Sequence, residues 1–92
     1  MVRPIRYYIE DKNGSLVVED GFKSPTKARE IARYFVKGRY ELRIVAVQSG
    51  QATIGYVGKK SDGTIYYADI FNHEWKLNRN GSLGDAIPYK RK

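Results

Sequence analysis

Three Asx-Gly dipeptides divide this chain: Asn13-Gly14, Asp62-Gly63 and Asn80-Gly81. Such a pair adopts left-handed backbone at low cost, as the two central residues of a type I′ hairpin turn require. The flanking segments are rich in aromatic and β-branched residues, the composition of half-buried strands. Before the first turn, IRYYIE (5–10) alternates, with Ile5, Tyr7 and Ile9 on one face and Arg6, Tyr8 and Glu10 on the other. SLVVE (15–19) is the expected return, and a two-residue loop would set Ile9 opposite Val18 and Glu10 opposite Val17. ATIGYVG and TIYYADIF flank the second turn, with Tyr66 and Tyr67 on opposite faces. The third turn joins a strand at 74–78 to a short return at 82–84, and Pro88 stops the ladder. YELRIVAV (40–47) is a further strand, broken by Ser49-Gly50.

One segment departs from this pattern. GFKSPTKAREIARYFVKG (21–38) has helical rather than alternating periodicity. Ser24 is placed to cap it and Pro25 to occupy its first turn, where a missing N–H costs nothing. Gly38 and Lys37 mark its end. Ala28, Ile31, Ala32 and Phe35 form the expected buried stripe, and Arg29, Arg33 and Lys37 the opposite, basic side. The expectation is an α+β fold: a mostly antiparallel sheet of five to six strands with one helix, in the order β-β-α-β-β-β. One helix cannot cover both faces of such a sheet. The surplus of the eight tyrosines belongs on the face it leaves open.

The chain has 92 residues, enough for one core and too few for two. It is read as a single domain, 1–92, with a basic tail at 88–92. No run of 18 apolar residues is present, and the first residues, MVRPIRYYIEDK, lack the apolar stretch of a signal peptide. The expectation is no membrane contact and a cytoplasmic location. Absence of cysteine removes disulfides, thiolate nucleophiles and cysteine-based zinc sites.

Lys and Arg number 17 against 10 Asp and Glu, and both halves of the chain share the excess. The densest stretch is Lys23–Arg43, with Lys27, Arg29, Arg33, Lys37 and Arg39. Lys90, Arg91 and Lys92 end the chain. Such a balance favours anionic partners. Tyrosines recur beside basic residues, supplying stacking surfaces next to phosphate-binding groups.

Catalytic chemistry has little support. His73 is the sole histidine, so no two-histidine metal site exists, and neither a nucleophile elbow nor a phosphate loop is present. No catalytic residue, metal or cofactor is assigned. Small basic scaffolds can cleave RNA without a metal, and His73, Glu74, Arg79 and Tyr66 are the residues that would do it here.

Residues 5–35 resemble the arm-type DNA-binding module at the start of many phage and transposon tyrosine recombinases. The shared pattern is a hairpin turn, Asp11 to Gly14, followed by Gly21-Phe22-Lys23-Ser24-Pro25-Thr26-Lys27-Ala28 leading into a helix. The resemblance implies a small sheet laid on DNA, with Arg6, Tyr8, Lys12 and Val17 as its readers. Gly21 to Val47 is also similar in pattern to the SPOR peptidoglycan-binding repeat.

The expected function is therefore a small non-enzymatic protein that binds DNA or RNA. The candidate contacts are Arg6, Tyr8, Lys27, Arg29, Arg33, Lys37, Arg39, Lys90, Arg91 and Lys92. The alternative is an inhibitor or adaptor encoded by a mobile element, docking a protein through Trp75 and Leu77. A strand edge left uncovered could also pair with a second copy, giving a homodimer.

Overall fold

A computed structural model describes residues 4–38 and 40–88. Six strands form one antiparallel sheet in sequence order: β1 (Arg6–Glu10), β2 (Leu42–Val47), β3 (Gln51–Lys59), β4 (Ile65–Asp69), β5 (Glu74–Leu77) and β6 (Leu83–Ile87). The helix α1 (Pro25–Phe35) connects β1 to β2. The α+β class and the antiparallel sheet are as expected. The order is not, because the helix follows β1 directly.

The missing second strand has a geometric cause. Residues after the first turn do run beside β1, but only two isolated bridges form, Glu10 with Leu16 and Tyr7 with Phe22. Three steps along β1 thus correspond to six along its neighbour. The outer segment must bow away between the bridges, and it carries Glu19, Asp20 and Gly21 where it does so. Glu10 therefore faces Leu16 rather than Val17. The segment still shields the β1 edge, exchanging both backbone hydrogen bonds between Tyr7 and Phe22 (2.9 and 2.8 Å).

The turns are also longer than the Asx-Gly rule suggests. In 11–15, 60–64 and 78–82 the first residue's N–H donates to the fifth residue's carbonyl, and the fourth residue's N–H to the first's. The fourth residue is Gly14, Gly63 or Gly81, each at positive φ. These are three-residue loops built on a type I turn and closed by a left-handed residue. A fourth copy spans 69–73 with the same two hydrogen bonds. There Asn72, at φ 67, takes the glycine's place.

The core lies between the helix and one face of the sheet. Ile9, Ile44, Val57, Tyr67 and Leu77 meet Ala28, Ala32 and Val36, with Phe22, Ile31, Ile54 and Trp75 at its margin. Ala28 and Ala32 are fully buried against the sheet, and Val36 follows them at the helix end. Phe35, expected in the stripe, is 43% exposed. The buried side is thus rotated toward Val36, and this brings Arg29 and Arg33 to its flank instead of opposite it.

β3 carries two glycines that serve the tyrosines of β4. A Cβ on Gly55 would collide with the Tyr67 ring, and one on Gly58 with the Tyr66 ring. Each tyrosine therefore covers bare backbone, Tyr67 on the helix face and Tyr66 on the other. The Tyr67 hydroxyl donates to the Ile54 carbonyl at 3.0 Å. Cross-strand pairing places Tyr8, Tyr56 and Tyr66 on the face away from the helix, with Arg6, Arg43 and Lys76.

Candidate nucleic-acid interface

The helix begins where the sequence indicates. The Ser24 side chain accepts from the Lys27 N–H at 3.1 Å, and the first turn holds no acidic residue. Below it lies the β5–β6 loop. Gly81 has φ 88, and a Cβ there would strike the Thr26 carbonyl and lie 2.8 Å from the Glu30 nitrogen. Glycine is thus required twice over, for its dihedral and for the contact.

Arg29 and Arg33 bind this hairpin to the helix. Arg29 Nε donates to the Gly81 carbonyl at 2.8 Å, its Nη2 to Thr26 Oγ1 at 3.2 Å, and its guanidinium lies 5.0 Å from the Tyr67 ring centre. Arg33 Nε donates to the Leu77 carbonyl at 3.2 Å. Both residues are half-buried. Among the described residues no buried side-chain nitrogen or oxygen lacks a hydrogen-bond partner. The terminal nitrogens of Arg33, which have none, must therefore reach solvent. Each guanidinium is fixed by one edge and still presents charge.

Around these two, Lys23, Lys27, Lys37 and Arg79 are exposed. Glu30 is the helix's only acid, and it pairs with Lys27 at 3.3 Å. Lys37 borders a hollow of about 380 Å³ with Lys12, Phe35 and Tyr40, where the Lys12 ammonium sits 4.1 Å from the Tyr40 ring centre. Arg39, Lys90, Arg91 and Lys92 lie outside the described residues.

On the opposite face of the sheet, two of the cations have acidic partners. Arg43 faces Glu10 at 3.8 Å and donates to the Asp11 carbonyl. Lys60 pairs with Glu74 at 2.8 Å and lies over the Tyr66 ring. The Tyr66 hydroxyl donates to Glu41 at 2.6 Å. Burial and the Glu41 carboxylate both push that hydroxyl far above the usual tyrosine range. Burial raises Tyr67 as well, opposed by the Arg29 charge. Arg6 has no acidic partner among the described residues, and the Tyr8 ring rests against Gly21.

The remaining sequence candidates fall in two places. Leu77 is 4% exposed within the core, whereas Trp75 is half-buried at the core margin with part of its ring open to a groove. His73, Glu74, Trp75, Lys60 and Lys76 line a groove of about 900 Å³ between the β3–β4 loop, β5 and β6. Tyr66 joins this group through Lys60, whereas Arg79 sits on the loop under the helix. His73 Nδ1 is 3.7 Å from Asp69 Oδ2, and its ring meets Trp75 edge-on at 6.3 Å. Among the described residues no cluster of three His, Asp or Glu could hold a metal, and no helix is long and apolar enough to cross a membrane.

Sequence reasoning missed the anchoring of Arg29 and Arg33. The partner carbonyls lie 52 and 44 residues away, and backbone oxygens leave no residue-specific signal. It also placed Ile70 and Phe71 in the strand TIYYADIF, whereas they lie in the β4–β5 loop, 56% and 74% exposed. No protein-family model, curated protein or solved structure matches this chain.

Proposed function

We propose that this protein is a small non-enzymatic binder of nucleic acid that grips the phosphate backbone with the helix side of the fold. The observation behind this reading is unequal charge compensation. On the sheet face, Arg43 and Lys60 have acidic partners. Around the helix, Lys23, Lys37 and Arg79 have none among the described residues, and one acid serves the whole helix. Salt bridges serve folding equally well on either side, so the imbalance favours an external anion. Arg29 and Arg33 add charge whose side-chain freedom is already spent on backbone contacts. That lowers the ordering cost of a phosphate contact.

The test is fluorescence anisotropy with labelled DNA and RNA across a salt series. Six to ten phosphate contacts would weaken binding by about 10³ to 10⁵ between 50 and 200 mM salt. Lys23/Lys27/Lys37→Gln should make the duplex salt slope shallower by about 2.7, three contacts at roughly 0.9 each. These lysines are the right probes because the fold does not hang on them, whereas Arg29 and Arg33 hold the hairpin. Absent binding, or a slope the triple variant leaves unchanged, would overturn the reading.

A further inference from the structure

The same tetrapeptide, Asn-Gly-Ser-Leu, occurs twice in the chain, at 13–16 and at 80–83, each time after a basic residue, Lys12 or Arg79. Both copies sit in three-residue loops with the same two backbone hydrogen bonds. Gly14 and Gly81 share left-handed backbone, at φ 84 and 88. Local sequence and local geometry are thus matched, and only the surroundings differ.

Asparagine followed by glycine is prone to spontaneous deamidation, because no side chain shields the glycine nitrogen. Hydroxide takes the glycine N–H proton, the nitrogen bonds to the asparagine Cγ, and the side-chain nitrogen leaves as ammonia. The product is a cyclic imide. Water opens it at either carbonyl, giving an aspartyl residue or an isoaspartyl one whose backbone runs through the side chain. Water enters, ammonia leaves, and no other reactant is consumed. The step needs a glycine nitrogen open to solvent and an asparagine side chain free to swing onto it. The loop must therefore open locally before it can react.

The first copy meets these needs. Asn13 and Gly14 are exposed, and among the described residues no hydrogen bond holds the Asn13 side chain. Opening this loop breaks exposed bonds to Asp11, within the loop itself. The second copy does not meet them. Gly81 is buried against the Thr26 carbonyl and the Glu30 nitrogen, and Arg29 Nε holds its carbonyl at 2.8 Å. Asn80 Oδ1 accepts from the Ser82 N–H at 3.0 Å and from the Ser82 hydroxyl at 2.6 Å. Opening that loop means undocking it from the helix.

We propose that Asn13-Gly14 is a site of spontaneous modification, where the asparagine loses ammonia and becomes an aspartyl or isoaspartyl residue, and that docking under the helix spares Asn80-Gly81. Asn13 lines the hollow that Lys12 and Lys37 share, so the new carboxylate appears beside two cations and lowers the positive charge there. The inference stands apart from the nucleic-acid reading.

The test incubates the native chain in mildly alkaline buffer, with a parallel sample unfolded in urea. Peptide mapping by mass spectrometry, with digestion at acidic pH to halt the reaction, follows each asparagine over time. In the native chain, conversion at Asn13 should outpace that at Asn80 by at least about tenfold, since undocking breaks the charge-assisted Arg29 bond as well. In urea the two matched copies should convert at the same rate. Equal native rates would overturn the proposal. So would a native Asn13 no faster than Asn72 or Asn78, which histidine and arginine follow. Unequal rates in urea would assign the difference to local sequence and overturn the structural argument.

Discussion

Replacing Gly81 by alanine tests how tightly the β5–β6 hairpin is docked under the helix, and Gly63 supplies the control. The two glycines occupy the same position in loops with the same hydrogen bonds, at φ 88 and 94. A methyl group at either site pays the left-handed penalty of an L-residue, about 1–2 kcal/mol. At Gly63 nothing lies within 4 Å of the new carbon, so the cost ends there. At Gly81 the carbon meets the Thr26 carbonyl and the Glu30 nitrogen, both backbone atoms of one helical turn. They cannot rotate away, so the hairpin must lift. Lifting it stretches the Arg29 bond to the Gly81 carbonyl, a charge-assisted contact worth about 1.5–3 kcal/mol. The expected excess of Gly81→Ala over Gly63→Ala is therefore about 2–3 kcal/mol, or roughly 10–20 °C in Tm for a domain of this size. Urea and thermal unfolding, followed by circular dichroism and by Trp75 emission, measure it. Equal losses in the two variants, within about 0.5 kcal/mol, would refute the docking argument.

Three further predictions are independent of Gly81. Arg33→Met should destabilise by about 1–3 kcal/mol, since the Leu77 carbonyl loses a charged donor, whereas Lys37→Met should stay within about 0.5 kcal/mol; equal effects in urea unfolding would contradict the anchoring. Tyr66 should resist deprotonation. Its folded pKa is raised, so it contributes stability that is present below the ordinary tyrosine range and lost as pH climbs above about 10. Melting curves between pH 8 and 12 should fall more steeply for the native chain than for Tyr66→Phe, and parallel curves would contradict this. Gly58→Ala should displace the Tyr66 ring and with it the hydroxyl bond to Glu41, advancing the alkaline absorbance transition of one tyrosine toward the ordinary range.

The local signals in the sequence were the dependable ones. Ser24, Pro25 and the Asx-Gly pairs act within a few residues of themselves, so their effects are written nearby, and the helix start and three turns lie where they indicate. Even there the turn type was off by one residue. Asn-Gly and Asp-Gly serve a type I′ turn and the left-handed end of a three-residue loop alike, because both need positive φ. The fourth loop is only partly legible: FNHE is turn-like, but Asn72 does the glycine's work and the apolar Ile70 and Phe71 extend the strand pattern into it. Segment 15–22 shows the converse. Its composition suits a strand, but pairing depends on whether it stays in step with β1, and a three-residue surplus ends that.

The functional surface was legible in charge and not in geometry. Counting cations located an excess near the helix, and the excess is there. Counting could not separate an arginine that faces water from one that holds two elements together, because both look the same on a helical wheel. The rotation of the buried stripe toward Val36 decides the matter: it turns Arg29 and Arg33 into flank residues, within reach of carbonyls on β5 and its loop. The consequence for function is specific. An alanine scan guided by charge alone would remove Arg29 and Arg33 first, unfold the hairpin, and credit the lost binding to phosphate contacts. In the structure those losses divide. The part recovered when temperature is lowered or a stabilising osmolyte is added belongs to the fold. The part that persists in a fully folded variant, and that shallows the salt slope by about one unit per residue, belongs to the phosphate.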